Sequence, residues 1–223
     1  MTQSNPYSER RLFGDPLDLD PKTTAVLVID MLNDFCHEEG ILGNPNALTL
    51  CSKQTEILRA VRRTGGTVIF VNEQHRKNLV ADHGFAQHMR HAQEGSWGSE
   101  VVESLVVEKN DISVVKRRYS GFFETDLDLV MRDRGVSSAI LIGVLTNICI
   151  RATAHDAFFR GYNVIVPADA VGAMSSLEQV ASLFDISTHF GWVSDTCGVV
   201  RALETGTPID NADLALADQI NQD

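Results

Sequence analysis

Short, continuous runs of apolar residues alternate with helical patterns along most of this 223-residue chain. Such short apolar runs are typical of strands buried on both faces, and helices between them connect the strands in parallel. The pattern therefore predicts a single-domain, three-layer α-β-α sandwich with a mainly parallel, Rossmann-like central sheet of about six strands. The predicted strands cover residues 25–30, 67–71, 112–115, 139–142, 163–166 and 198–200.

The predicted helices lie between these strands, at residues 48–63, 126–133 and 177–190, with one more that ends at Phe159. Residues 72–100 lack periodicity and are expected to form a long surface excursion. The folded domain is expected to span residues 23–203. A polar N-terminal arm, residues 1–22, would wrap the surface or a neighbouring subunit, and a polar tail, residues 204–223, would be loosely held or used in subunit contacts.

The formal net charge of −11 argues against nucleic acid as a partner, because phosphate binding needs a basic surface. No apolar run reaches membrane-spanning length, and the polar N-terminus shows no signal peptide. The four cysteines form no CxxC pair, so reduced thiols are expected. These features predict a soluble cytoplasmic protein that binds neither nucleic acid nor membrane. We expect it to be a homo-oligomer, a dimer or a tetramer.

Cys149 follows the predicted strand 139–142 and precedes the helical segment that ends at Phe159. A cysteine near the first turn of a helix lies close to free backbone N–H groups and to the positive end of the helix dipole. This environment favours a thiolate, and the same N–H groups can hold the oxyanion of a tetrahedral intermediate. The position suits a nucleophile, although a lone cysteine is more often a small buried hydrophobe.

Two further reactive side chains stand at predicted strand ends, since Asp30 closes the first strand and Lys116 follows the third. The carboxyl ends of parallel strands meet at one edge, so the topology brings both side chains towards Cys149. An ammonium stabilises a thiolate, and a carboxylate accepts the thiol proton and passes it to a leaving amine. Taken singly, Asp30 could cap a turn and Lys116 could join Arg117 and Arg118 on a solvated rim. The hypothesis of a site therefore depends on all three.

Three segments, taken in order, resemble the motifs of the isochorismatase-like cysteine hydrolase superfamily. They are Val28–Phe35, Lys116–Phe123 and Gly143–Thr153, with further matches at Asp156-Ala157 and Asp169-Ala170. The resemblance covers about residues 24–200. It implies a catalytic triad of Asp30, Lys116 and Cys149 that hydrolyses an amide through a thioester.

The same resemblance implies a non-proline cis peptide bond between Val144 and Leu145. It also implies an oxyanion hole formed by the backbone amides of Leu145 and Cys149. True isochorismatases lack the cysteine, so its presence here points to C–N bond cleavage rather than vinyl ether cleavage.

Nicotinamidases of this superfamily bind a divalent metal through an Asp-x-His motif after the second strand and a further histidine. This chain has Glu73-Gln74-His75 at that place, followed by His83, His88 and His91. Glutamate and histidine can ligate zinc or manganese, but the aspartate is replaced and Gln74 stands where tryptophan is usual. We therefore expect no metal and no other cofactor, and an exposed polar loop instead. His75-Arg76 resembles the corresponding loop of biuret hydrolases.

Residues 118–125 and 190–195 most resemble ureidoacrylate amidohydrolases, which cleave a terminal carbamoyl group. The resemblance implies a small ureido substrate of the ureidoacrylate, biuret or triuret type. Aromatic side chains would wall its flat ureido group, and two polar side chains would bind its polar end. These expected substrate-binding residues are Phe35, Trp97, Tyr119 and Phe123 for the walls, and Arg118 and Asn147 for the polar end.

The sequence thus predicts a metal-independent amidohydrolase that releases ammonia or an amine from a small amide or ureido substrate. Two alternatives stay open. One is a metal-assisted nicotinamidase-type amidase, which predicts bound metal and loss of activity with a chelator. The other is a non-catalytic scaffold or interaction protein with the same fold.

Overall fold

Seven parallel strands form the sheet within the residues that this computed structural model describes, namely 12–44, 46–78 and 90–212. The strands are β1 (Thr24–Ile29), β2 (Thr67–Glu73), β3 (Ile112–Lys116), β4 (Ser138–Val144), β5 (Asn163–Pro167), β6 (Val171–Gly172) and β7 (Trp192–Ser194). Their order across the sheet is β3-β2-β1-β4-β5-β7, with β6 paired to the end of β4. The predicted α/β fold with a parallel central sheet is confirmed.

Helices cover both faces of this sheet. The described helices are α1 (Asn33–Cys36), α2 (Cys51–Thr64), α3 (Leu127–Asp133), α4 (Arg151–Phe159), α5 (Ser176–Asp185) and α6 (Thr196–Thr205). In β1, Val26 and Val28 join a buried cluster with α2 and α6, while Leu27 and Ile29 join another with α3 and α4. Side chains alternate between the faces of a strand, so β1 is buried on both, as its continuous apolar run predicted. None of these described helices combines the length and apolar character needed to cross a membrane.

Residues 198–200, expected to form a short last strand, lie instead inside α6. The Asp195 side chain accepts a hydrogen bond from the Gly198 backbone N–H and so caps the start of this helix. Gly206, with a φ of 70°, ends the helix. The strand in this region is β7, which pairs with β5 and is too short to show an alternating pattern in the sequence.

The described parts of the N-terminal arm and the C-terminal tail are tied to each other. Leu17 and Ile209 form an antiparallel bridge, and Ile209 is buried. The Asn211 side chain donates to three backbone carbonyl oxygens of the arm and the domain. The tail is therefore anchored to the domain as far as residue 212, where the Ala212 N–H donates to the Val193 carbonyl oxygen, and the rest of the predicted tail lies outside the described residues.

Gly143 in β4 lies so close to the backbone of β1 that a side chain at this position would overlap with it. It pairs with Ile29, has a φ of 122°, and a Cβ atom built on it would lie 2.0 Å from the Ile29 carbonyl oxygen. We expect Gly143→Ala to lower the free energy of unfolding by about 3 kcal/mol, because both the backbone conformation and the overlap cost energy. Thermal unfolding followed by circular dichroism measures the loss.

Gly161→Ala is the matched control for this variant. Gly161 also has a positive φ, 85°, but no neighbouring atom lies within 4 Å of its Cβ position. Only the conformational cost of about 1–2 kcal/mol is expected there. Equal losses in the two variants would contradict the importance of the close approach between β4 and β1.

Candidate active site

Three side chains from three strand ends meet at the carboxyl edge of the sheet. Asp30 directly follows β1, Lys116 is the last residue of β3, and Cys149 lies in the π-helical turn 146–150 between β4 and α4. The Lys116 ammonium nitrogen Nζ lies 2.7 Å from Asp30 Oδ2 and 3.5 Å from Cys149 Sγ. All three side chains are buried. The structure therefore places the predicted catalytic residues in one group.

Glu73, the last residue of β2, is a fourth member of this group, although its sequence position suggested only a metal ligand. Its backbone N–H donates to Asp30 Oδ1 over 2.8 Å, and its carboxylate Oε2 lies 3.3 Å from Lys116 Nζ. Lys116 Nζ also donates to the carbonyl oxygen of Arg118 over 3.1 Å. One buried ammonium is thus shared by two carboxylates, a sulfur atom and a backbone carbonyl.

The charges of this group keep Lys116 and Glu73 ionised. Burial alone would lower the pKa of Lys116, but the Asp30 carboxylate and the other negative groups around it raise that pKa above the ordinary 10.5. Burial alone would raise the pKa of Glu73, but hydrogen bonds from His75 and His91 and the Lys116 charge bring it below the ordinary 4.5.

Burial favours the protonated thiol of Cys149, whereas its place at a helix start favours the thiolate. Burial raises the pKa of the Cys149 thiol well above its usual value, and the Lys116 ammonium offsets this only in part. Burial also raises the pKa of Asp30, against the lowering effect of Lys116. Asp30 Oδ2 and Cys149 Sγ both contact the Lys116 ammonium, so Asp30 is the candidate acceptor for the thiol proton.

A cavity of about 470 Å³ opens onto this group, within the size range of small-ligand pockets. Asp30, Glu73 and Cys149 lie in its wall with Phe35 and Tyr119, two of the predicted substrate-binding residues. The other described residues that line the cavity are mostly apolar residues and glycines, together with one glutamate and one histidine. They are Glu38, Gly40, Ile41, Leu42, Gly43, His91, Val144, Leu145, Ile148 and Met174.

The other four predicted substrate-binding residues do not line this cavity, as far as the described residues define it. Trp97 and Phe123 are half exposed, and Arg118 is exposed. Asn147 Nδ2 donates instead to Glu178 Oε1 over 3.2 Å. These side chains stand on loops or turns, where contacts across the fold set their directions and the sequence pattern does not reveal them.

The backbone between β4 and Cys149 has the geometry that the family resemblance implied. The Val144–Leu145 peptide bond is cis. Val144, Leu145 and Cys149 all line the cavity. The backbone amides of Leu145 and Cys149 therefore stay the proposed donors to an oxyanion.

Glu73, His75 and His91 form a buried cluster beside these residues. His75 Nε2 lies 2.5 Å and His91 Nε2 lies 3.2 Å from the same Glu73 oxygen, Oε1. The His75 backbone pairs with residues 92–94, which brings His91 next to it. The expectation of an exposed polar loop is wrong for His75 and His91, while His83 and His88 lie outside the described residues.

The cluster has the donor chemistry of a divalent transition-metal site. The candidate ligand atoms of Glu73, His75 and His91 lie within 4.8 Å of one another. A carboxylate oxygen with two imidazole nitrogens suits zinc or manganese. The same three side chains also form a hydrogen-bonded clamp, since both imidazoles bind one oxygen of Glu73.

Asp34, in α1, holds two walls of the cavity in place, and the sequence did not single it out. Its Oδ2 accepts from the Ala92 backbone N–H over 2.7 Å, and its Oδ1 accepts from the Ile41 N–H over 3.3 Å. A Cβ atom at Gly98 would lie 2.0 Å from Asp34 Oδ2, so this site needs glycine. The sequence signal for Asp34 was its place in the segment Val28–Phe35, which resembles the first family motif.

Comparison with known proteins assigns the chain to a family. The family model described as Isochorismatase domain matches residues 24–197. The chain belongs to this family. A ureidoacrylate amidohydrolase RutB from Caulobacter vibrioides is 35% identical over 206 residues, covering 82% of this chain and 92% of that protein.

Solved structures give the same assignment. A cysteine hydrolase from Pseudomonas syringae pv. phaseolicola matches with a TM-score of 0.80 and 31% identity, over 87% of this chain and 100% of that chain. N-carbamoylsarcosine amidase from Thermoplasma acidophilum matches with a TM-score of 0.71 and 32% identity, over 78% of this chain and 96% of that chain. The predicted family is confirmed, and so is the prediction of a hydrolase acting on C–N amide bonds.

Proposed function

We propose that the protein is a cysteine-dependent amidohydrolase that cleaves a C–N bond of a small ureido or carbamoyl compound and releases ammonia or an amine. The observation that carries the proposal is Lys116 Nζ lying 2.7 Å from Asp30 Oδ2 and 3.5 Å from Cys149 Sγ beside a cavity. Relatives named for ureidoacrylate and N-carbamoylsarcosine support a carbamoyl-bearing substrate. Candidates are therefore ureidoacrylate, biuret and triuret types.

In the proposed first step, the substrate carbonyl lies between Cys149 Sγ and the backbone amides of Leu145 and Cys149. Asp30 accepts the thiol proton as Sγ attacks the carbonyl carbon, and its raised pKa suits it to this role. The Lys116 ammonium stabilises whichever of Asp30 and Cys149 is negative, and the two amides stabilise the oxyanion.

In the second step the C–N bond breaks, and Asp30 returns the proton to the leaving nitrogen. Ammonia or an amine departs, and the acyl group stays on Cys149 Sγ as a thioester. Asp30 then takes a proton from water, which attacks the thioester carbonyl. The departing sulfur regains that proton from Asp30, and the starting state is restored.

Ammonia or amine release over a substrate panel tests the proposal. The panel contains biuret, triuret, ureidoacrylate, N-carbamoyl amino acids, nicotinamide and maleamate. We expect at least one ureido or carbamoyl compound to exceed nicotinamide and maleamate in kcat/KM by about 100-fold, a difference of roughly 3 kcal/mol in transition-state binding. Turnover of nicotinamide alone, or of no compound, would overturn the proposal.

The cluster of Glu73, His75 and His91 favours one alternative, a metal-assisted nicotinamidase-type amidase. In that case metal analysis of the purified protein would find about one zinc, manganese or iron per chain, and a chelator would remove activity. For the cysteine-dependent hydrolase proposed above, activity survives the chelator because the steps use Asp30, Lys116 and Cys149. Cytoplasmic location and assembly as a dimer or tetramer stay predictions from the sequence.

A further inference from the structure

We propose that the site binds neutral ureido compounds that present N–H donors at the end away from the reacting carbonyl. Glu38, in the cavity wall, selects these compounds over substrates that carry a carboxylate. This inference rests on the proposed function and narrows its substrate class. Among the candidates, it favours biuret and triuret types over the ureidoacrylate type.

The catalytic end of the cavity holds more carboxylates than cations. Asp30 Oδ2 lies 2.7 Å and Glu73 Oε2 lies 3.3 Å from the same Lys116 Nζ, and Cys149 Sγ lies 3.5 Å from it. Among the described residues, Lys116 supplies the one lysine or arginine charge that contacts them. Two carboxylates thus surround a single described ammonium, and this surplus of carboxylates repels a substrate carboxylate held nearby.

The cavity wall offers no cation to pair with a substrate carboxylate. Among the described residues, no lysine or arginine lines it, whereas Asp30, Glu38 and Glu73 do. Lys116 is fully buried and outside the wall, and exposed Arg118 also lies outside it. A carboxylate taken out of water without a cationic partner is costly, so an anionic substrate loses binding in this cavity.

Glu38 is an exposed residue of the cavity wall and stands on the tight loop that follows α1. The Gly40 N–H donates to the His37 carbonyl oxygen, and a Cβ atom at Gly43 would lie 2.1 Å from that same oxygen. In the described part of the chain, the Glu38 carboxylate has neither a hydrogen-bond nor an ion-pair partner of its own. An ionised carboxylate only accepts hydrogen bonds, so it matches the N–H groups of a neutral amide.

Two substrates of nearly equal size test the preference. N-carbamoylglycine carries a carboxylate and N-carbamoylglycinamide carries a neutral amide at the same place. We expect kcat/KM for carbamoyl cleavage, followed by release of glycine or glycinamide, to be at least about tenfold higher for the amide. Biuret serves as the unsubstituted neutral compound and is expected to be cleaved as well.

Variants of Glu38 assign the preference to this residue. Glu38→Gln should reduce the amide-to-acid ratio of kcat/KM by about fivefold, and Glu38→Arg should reverse it, since an arginine binds a carboxylate in a bidentate manner. Glu39→Gln is the matched control, because both glutamates are exposed but, among the described residues, Glu38 lines the cavity and Glu39 does not. It should leave the ratio unchanged.

The outcomes separate this inference from the proposed function. Wild-type protein that cleaves both compounds but prefers the acid overturns the inference alone. An equal change in the amide-to-acid ratio of kcat/KM in Glu38→Gln and Glu39→Gln also overturns the inference alone. Wild-type protein that cleaves no carbamoyl compound contradicts the proposed function together with the inference.

Discussion

Cys149→Ser is expected to abolish ammonia release while the unfolding temperature stays close to that of the wild-type protein. Removal of the nucleophile from a catalytic triad costs on the order of 10⁶-fold in kcat. A serine hydroxyl fits the space of the thiol but is far less acidic, and Asp30 and Lys116 are arranged around a sulfur atom. The measurement is ammonia release from the preferred substrate, beside thermal unfolding of both proteins.

Cys51→Ser is the matched control for this loss. Cys51 is also buried, but it lies at the start of α2 and does not line the cavity. Its substitution should change stability about as much as Cys149→Ser while ammonia release is retained. A Cys149→Ser protein with wild-type turnover would rule out the thioester mechanism, and equal loss in both variants would make the effect structural.

The protonated state of Cys149 adds a kinetic expectation to this result. Because burial raises the thiol pKa, the thiolate forms only as Asp30 accepts its proton during attack. The acyl-thioester should still accumulate when the second step is slow. Mass spectrometry of wild-type protein quenched during turnover should then find the acyl group on Cys149, and the serine variant should lack it.

The placement of Asp30, Lys116 and Cys149 was predictable because each follows a strand. A continuous apolar run fixes a strand, parallel strands end at one edge, and the last polar residue of each strand then reaches that edge. Glu73 obeys the same rule, but the apolar run of β2 ends at Val71 and the strand continues to Glu73. Asn72 and Glu73 are polar yet buried, so hydropathy alone ended the strand too early.

The ionisation of Cys149 and the aromatic walls were not predictable in the same way. The helix start next to Cys149 is local and favours a thiolate, but burial by the whole fold has the larger effect and raises the thiol pKa. Phe35 and Tyr119 reach the cavity while Trp97 and Phe123 do not. Phe35 lies in the four-residue helix α1, Trp97 in a three-residue 3-10 turn, and Tyr119 and Phe123 in a loop. Segments this short have no periodicity that indicates the direction of a side chain.

Lys116→Met is expected to remove activity and to lower the free energy of unfolding at pH 7 by about 3–5 kcal/mol. The substitution keeps the length of the side chain but deletes the ammonium, and so leaves the buried carboxylates of Asp30 and Glu73 without their shared cation. Ammonia release and thermal unfolding measure the two effects. Lys53→Met, at an exposed lysine of α2, should change neither.

The stability loss in Lys116→Met should shrink as the pH falls from 7 towards 5. Without the ammonium, the burial that raises the pKa of Asp30 is no longer opposed by Lys116, so the folded variant binds a proton that its unfolded chain does not. Stability of the variant is therefore regained as the pH falls below that raised pKa. In the wild-type protein the lowered pKa of Glu73 acts oppositely, because its stabilisation is present above the ordinary 4.5 and is lost as the pH falls below that value.

A neutral triple variant separates the loss of charge balance from the loss of chemistry. Asp30→Asn and Glu73→Gln, combined with Lys116→Met, remove the buried charges of both carboxylates and the ammonium together. Replacing a whole buried ion pair by neutral groups is often neutral or stabilising, whereas removing one partner is not. We expect the triple variant to recover most of the stability at pH 7 and to stay inactive. Stability as low as that of Lys116→Met would show that packing around the lysine stem, rather than its charge, holds this edge of the sheet together.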